Sequence, residues 1–446
     1  MTVDLISKKQ SEILLFVNKY VKSMKNKINV ANSAICYFHN YGDYLSSSYL
    51  KLKFYGYKYL IKFIINFLKN LYSTSEVENY VCEKNKSKKK FKNLVISHVS
   101  KHDFLRDGSY IDKYFNFHSK NYKDCVFFLN SVDGYSPKKK QNNIIIFKKK
   151  KINLTKKKRI KNFLIYFFKN KFSFIKIFHE YNFLSQFSKK IFPHLISLVH
   201  NNDLKKILLF YEAQPYQNNF INELRKKKIN VETIGLYHSG LLPLHTSLIF
   251  RDGAPNKLLI SGNIQKKYCE KYLGWPKNRV HNVDSFRYNK NSIRNTENTI
   301  YLPYAISKSN NVLQSLAIFF EKSKTRSLPN LLIKNHPATL NSKKHLLLIK
   351  NIKEIIKKNK IKFGNKFKKI SIFIGSTTSI TLALEQKIDV IHISEDPIFD
   401  TFNSKIWNDL IVTRLDRFIF KYKLKENKNI LKITNSNKNK IQKYLN

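Results

Sequence analysis

Residues 371–393 read SIFIGSTTSITLALEQKIDVIHI, and this stretch decides the fold. A short apolar run at 371–374 leads into Gly375, Ser376, Thr377, Thr378 and Ser379. Apolar residues then recur at helical spacing through 380–386, and a second apolar run follows at 389–393. Short apolar runs rich in β-branched residues and bounded by turn residues predict buried strands, and a helix between two of them predicts a parallel βαβ unit. The rhythm continues outward. Runs at 300–303 (IYLP) and 330–334 (NLLIK) precede it. An earlier series lies at 93–97 (NLVIS), 125–129 (CVFFL), 143–147 (NIIIF), 206–211 (KILLFY), 231–237 (VETIGLY) and 257–261 (KLLIS).

Two such series predict an α/β protein of two doubly wound, Rossmann-type domains facing a central cleft, over residues 89–255 and 256–425. A chain of 446 residues is too long for one ordinary core, and its 42% hydrophobic and 14% aromatic content is enough to fold. Residues 1–88 are expected to form a helical N-terminal extension. Its clearest piece is 49–72, where Leu60, Ile61, Ile64, Leu68 and Leu71 recur at helical spacing among Lys58, Lys62 and Lys69. A basic amphipathic helix of this kind either lies on anionic lipid or packs on the neighbouring domain. Residues 426–446 read as a basic tail that ends in a helix or frays.

Lys and Arg outnumber Asp and Glu by 83 to 30, a formal charge of +53. So positive a field attracts nucleic acid, anionic lipid and nucleotide sugars alike. Enrichment in Lys, Asn, Ile and Phe along the whole length marks an AT-rich genome and accounts for part of the excess. The lysine runs at 84–92 and 148–161 are expected to be a linker and a solvated segment, and 160–175 a helix. Cys36, Cys82, Cys125 and Cys269 are isolated, as in reduced cytosolic thiols. The first residues lack the pattern of a secretory signal, and no apolar run reaches the roughly 18 residues of a spanning helix. The expectation is a cytoplasmic protein, peripheral on the inner membrane.

Ligands of open parallel sheets bind beyond the carboxyl ends of the strands. Four such ends carry chemistry. Lys334, Asn335, His336 and Pro337 follow one strand, where a His can bond or charge-pair with a phosphate. The hydroxyl-rich loop from Gly375 through Ser376, Thr377, Thr378 and Ser379 precedes a helix and offers backbone N–H groups to the same kind of anion. Glu212 and His238 each end a strand of the earlier series, and either could take a proton from an acceptor hydroxyl. The sequence holds no DxD motif, no His/Asp cluster with ligand spacing and no Walker loop. The chemistry expected is therefore metal-independent, with no cofactor.

The stretches FYEAQPYQN (210–218), IGLYHSG (234–240), APNKLLISG (254–262) and LGWPKNRV (273–280) resemble surface carbohydrate biosynthesis proteins, GT-B glycosyltransferases of capsule and O-antigen assembly. The likeness covers about residues 90–400. The His-Pro bacterial sialyltransferases are similar in that a His-Pro motif and a later Ser/Thr motif bind the CMP of the donor. Those motifs correspond to His336 with Pro337 and to 376–379. Their catalytic carboxylate lies in an acidic pair before Gly, whereas Asp107-Gly108 and Asp252-Gly253 here each follow Arg. The CDP-glycerol glycerophosphotransferases are similar through a Trp-His-Gly and a His-Pro. Here Tyr237 replaces the Trp and Ser239 intervenes.

These resemblances imply a GT-B fold and transfer of a sugar, from a CMP-sugar by preference, to a surface-polysaccharide or lipid-linked acceptor. They further imply donor binding by Glu385. A CDP-glycerol-type transferase is the first alternative. A nucleic-acid-binding protein is the second, since 34 Phe, 26 Tyr and 2 Trp in a basic chain could stack on single strands. The absence of any helix-turn-helix, RNP or zinc signature argues against a specific nucleic-acid partner.

Overall fold

Backbone geometry follows directly from these apolar runs, because a strand covered on both faces must be apolar at every position rather than at alternate ones. In a computed structural model, residues 2–24, 45–73, 79–83, 89–150, 182–288, 298–306, 308–322, 331–336, 342–359, 370–375, 377–434 and 441–445 are described, with a few single positions between them. Pro337, Ser376, the run 84–88 and most of 151–181 lie outside the described residues.

The first group of strands is β1 (Tyr80–Glu83), β2 (Asn93–Val99), β3 (Ile111–Asp112), β4 (Phe117–His118), β5 (Cys125–Ser131), β6 (Ile144–Lys149), β7 (Lys206–Phe210), β8 (Glu232–Leu236), β9 (Lys257–Ser261) and β10 (Val280–Val283). Strands β3 and β4 form a small hairpin, and the rest make one sheet in the order β1-β6-β5-β2-β7-β8-β9-β10. All neighbours from β6 to β10 pair in parallel, and β1 closes one edge antiparallel. Counted along the chain, the parallel strands run 3-2-1-4-5-6-7, the dinucleotide-fold order, which reverses between β2 and β7.

The second sheet contains β11 (Thr299–Tyr301), β12 (Leu332–Lys334), β13 (Ile370–Ile374), β14 (Asp389–Ile393), β15 (Leu410–Asp416) and β16 (Ile419–Leu424), in the order β12-β11-β13-β14-β16-β15. Strands β12, β11, β13 and β14 are parallel, with the reversal between β11 and β13, while β16 and β15 add an antiparallel hairpin to the edge. The expected pair of α/β sheets is thus what the chain forms.

The sheets correct the expected partition at 255/256. Strands β9 and β10 pair with β8 in the first sheet, so the changeover falls between Val283 and Thr299. The turn around Pro255 reads as a boundary but only redirects the chain into β9. The extension is corrected too. Residues 49–72 are two helices, α2 (Leu45–Tyr55) and α3 (Leu60–Ser73), divided at Gly56, whose φ of 85° is left-handed. Part of the extension, β1, belongs to the first sheet.

One continuous core joins the halves. It contains Leu94 and Leu209 of the first sheet, Phe373 and Val390 of the second, and Ile13 and Val17 of α1 (Val3–Ser23). Helix α1 acts as a strap. Gln10 donates to the carbonyls of Ile398 and Thr401 at 2.9 and 2.7 Å, and Asn18 donates to the Tyr272 carbonyl at 2.9 Å. The fully buried Trp407 stacks on Tyr268 with centroids 4.7 Å apart and bonds the Pro243 carbonyl across the boundary. The tail returns as well. The Lys432 carbonyl accepts from the Ser285 N–H at 2.7 Å, and Ile441 and Leu445 join the core beneath the first sheet.

Trp407→Ala removes a large buried ring at this joint. It is expected to lower unfolding free energy by about 3–5 kcal/mol, read from the urea midpoint.

Candidate active site

The carboxyl ends of the two sheets meet. Gly240, just beyond β8, sits so close to Thr381, on the helix Ser379–Glu385 that follows β13, that a Cβ on Gly240 would lie 2.7 Å from the Thr381 Cβ. Only glycine permits that approach. It brings the turn bearing His238 against the first turn of the helix that follows Gly375 to Thr378, although the two are far apart in sequence.

On the first sheet, the reversal between β2 and β7 places His98 beside the end of β7. The Phe210 ring is the hub. Its centroid lies 4.6 Å from His238, 5.0 Å from His98 and 4.1 Å from Tyr114 of the β3–β4 hairpin. His238 is partly exposed, and its Nδ1 is buried without a hydrogen-bond partner. Burial, with Arg287, His98, His245 and Lys113 nearby, pushes its pKa well below the usual value. His98 is likewise lowered to about 4, chiefly by burial. Both rings are neutral at physiological pH.

Glu212 occupies a different environment. Burial raises its pKa from an ordinary 4.5 to about 7, opposed by a 2.9 Å hydrogen bond from the Gln214 side chain. Burial raises the Tyr216 and Tyr237 hydroxyls, and the Glu212 charge adds to both. The turn that presents it is strained and braced. Ala213 has a left-handed φ of 57°, and its carbonyl accepts from the buried Arg251 at 2.7 Å. Arg251 also donates to the Ser247 and Ile249 carbonyls, at 2.7 and 2.9 Å. The arginine before Asp252-Gly253 therefore shapes the Glu212 turn. Asp107, of the other Asp-Gly pair, pairs with Lys120 and Ser109.

On the second sheet, the reversal lies between β11 and β13, whose ends are followed by Pro303-Tyr304 and by Gly375. The space above Gly375 is walled by Pro303 and the Glu395 carboxylate. The loop is held from behind: the Gly375 carbonyl accepts from His392 Nε2 at 3.0 Å, and His392 Nδ1 accepts from the Tyr422 hydroxyl at 2.8 Å. His392 is fully buried and its pKa falls to about 3. Thr377 accepts from the Ser379 N–H at 3.3 Å, and Thr378, Thr377 and Ser379 stay partly exposed. The helix behind them has only 7 residues, so its dipole adds little and the loop's own donors matter more.

His336 follows the next strand and sets its ring at 5.4 Å from Tyr304, edge to face. Burial, His345 and Arg287 lower its pKa. The exposed Lys334 lies over the Tyr301 ring at 5.7 Å. Glu385 is engaged elsewhere: its Oε1 accepts from the backbone N–H groups of Ile430 and, at 2.9 Å, Leu431, tying down the returning tail.

Arg287 was missed in the sequence. It lies exposed just past β10 in the changeover segment, and its charge acts on both His238 and His336, one from each half. The signal available was an arginine immediately after the last strand of the first sheet, hidden among many lysines.

No protein-family model and no curated protein matches the sequence. Among solved structures, a glycosyltransferase from Rickettsia africae is similar at 13% identity and a TM-score of 0.31, over 68% of this chain and 79% of that one. Arabidopsis thaliana UGT89C1, in complex with UDP-L-rhamnose, is similar at 10% identity and a TM-score of 0.32, over 72% and 83%. Likeness at that level assigns neither substrate nor activity to this chain.

Two outcomes follow from this geometry. Gly240→Val forces the sheet ends apart and is expected to lower Tm by several degrees, as measured by calorimetry. For Glu212 the folded-state pKa lies above the unfolded one, so the folded form holds the proton more tightly, and its share of stability is lost as pH rises from about 4.5 through about 7. Glu212→Gln should therefore flatten the fall in Tm between about pH 5 and about pH 8.

Proposed function

We propose that the chain is a glycosyltransferase that moves a sugar from a nucleotide-activated donor, CMP-sugar first among them, to a saccharide or lipid-linked saccharide of a bacterial surface polysaccharide such as capsule or O-antigen. It works in the cytoplasm, at the anionic face of the inner membrane. The observation that carries the reading is the meeting of the two sheets' carboxyl ends across Gly240, beyond β8, and Thr381, on the helix beyond β13. Open sheets bind ligands beyond the carboxyl ends of their strands, at a reversal; Gly240 follows β8, the neighbour of the β7 that borders the first reversal, and Thr381 follows β13, which borders the second.

The electrostatics support a division of labour. Arg287, His336, Lys334 and the donors of the loop 375–379 lie on the side suited to the donor's phosphate. Fixed N–H groups and cations there stabilise the nucleotide as it leaves, the kind of preorganised term that dominates many enzymes. Ser376 and Pro337 belong to this set by sequence. Glu212 is the better base. A pKa of about 7 leaves it part-ionised at neutral pH and strong enough to take a hydroxyl proton, whereas His238 is depressed by burial first and by neighbouring charges such as Arg287 second. His238, neutral, orients the acceptor. Glu385 ties down the tail through Oε1, and a donor-binding role for it rests on the resemblance alone.

A CDP-glycerol donor would use the same phosphate groups, so the nucleotide is the decisive measurement. Thermal-shift titration with CMP, CDP, UDP and GDP should give its largest shift with CMP, and Arg287→Met should abolish most of that shift. A larger shift with UDP would overturn the donor preference. Binding of oligonucleotides with no nucleotide-induced shift would favour the nucleic-acid reading. With donor and acceptor in hand, Glu212→Gln should reduce kcat by roughly 10²–10⁴-fold and remove an apparent pKa near 7 from the rate profile.

A further inference from the structure

Helix α3 presents three different faces. Phe63 is buried and packs with Phe178, joined by the half-buried Phe67. On another face Leu60, Ile61, Ile64, Ile65 and Leu68 recur at helical spacing and are all exposed, Ile61 at 73% and Leu68 at 56%. Tyr57, in the turn just before the helix, is 87% exposed. Lys58, Lys62 and Lys69 are exposed along the rim. Isolated apolar residues on a surface are ordinary, but a contiguous stripe along several helical turns marks a contact surface.

We infer that this face docks the protein on an anionic lipid bilayer, with the isoleucine and leucine side chains entering the acyl boundary and the lysines meeting lipid phosphates. The charge pattern selects this occupant. Residues 45–73 contain no Asp or Glu, and Lys58, Lys62 and Lys69 are exposed beside the stripe. A second copy of the chain laid on the same face would bring lysine against lysine with no counter-charge, whereas an anionic surface supplies one. A nucleic acid would meet the lysines but leave the apolar stripe in water. Among the described residues no helix is long and apolar enough to cross a membrane, so α3 lies along the surface rather than through it. Tyr57 and Tyr59 sit where aromatic rings favour the headgroup level.

Helix α2 fixes the orientation of this surface relative to the site. Lys51 of α2 forms a 2.8 Å ion pair with Asp396, in the turn after β14, beside the Glu395 that walls the Gly375 loop. Helix α2, which packs on α3, is thus anchored to the end of the second sheet that carries the candidate site. A lipid-linked acceptor would be met there, a consequence that rests on the transferase reading; the docking itself does not.

The test is co-sedimentation of the full chain with vesicles. The wild type is expected to bind vesicles containing phosphatidylglycerol and to lose at least roughly tenfold in affinity for pure phosphatidylcholine. Ile61→Glu with Ile64→Glu, both at exposed positions, should abolish binding. Lys58→Gln with Lys69→Gln should weaken it roughly tenfold, with circular dichroism and nucleotide-induced thermal shift unchanged in both variants. Equal binding by the Glu variant would overturn the proposal. So would a wild-type dimer, detected by light scattering, that the same substitutions dissolve. Loss of nucleotide binding in otherwise normal vesicle-bound protein would count against the transferase reading alone.

Discussion

The close approach of Gly240 to Thr381 is the constraint on which the rest depends. Two α/β sheets could pack in many ways, and most would leave their strand ends pointing into separate solvent. Here a residue without a side chain lets one sheet's end touch the helix that begins beyond the other's. The surrounding interface holds that approach in place: α1 bonds both halves through Gln10 and Asn18, Trp407 stacks on Tyr268, and the tail is tied to Glu385. Removing water from so many apolar groups is what makes a contact with no attraction of its own persist.

The same arrangement sorts the titratable groups by sign. Glu212 sits among tyrosines, where burial alone lifts its pKa; His238 sits near Arg287, Lys113 and other histidines, where burial and cations both keep it neutral. Strands β7 and β8 are immediate neighbours in the sheet, yet their two end groups feel opposite surroundings. The sequence leaves open which of Glu212 and His238 would serve as base, and these opposite shifts are what support the proposal that it is Glu212. The buried Arg251 matters to this outcome because it holds the left-handed Ala213 turn that aims Glu212.

Much of the fold was legible because central parallel strands are apolar throughout. KLLIS and DVIHI coincide with β9 and β14, residue for residue. Edges were harder. β1 is half-buried along its length, β12 is largely exposed and β15 alternates, so none of these carries the uniform pattern of a central strand. The sheet boundary was misplaced because a turn at Pro255 and a true changeover near Arg287 use the same polar and turn-forming residues. That Glu212, His238, His336 and Gly375 follow the ends of strands was legible from the apolar runs alone. The structural use of Glu385 was not, because its partner is backbone more than forty residues away. Arg287 was masked by a charge excess that made every cation look ordinary.

The account stands or falls on where an anion binds. A crystal structure of the protein with CMP should place the phosphate between the loop 375–379 and Arg287, within hydrogen-bond reach of His336, with Glu212 facing it across the gap. A nucleotide bound on an outer face of either sheet, or sheet ends parted at Gly240 and Thr381 with no ligand between them, would contradict it.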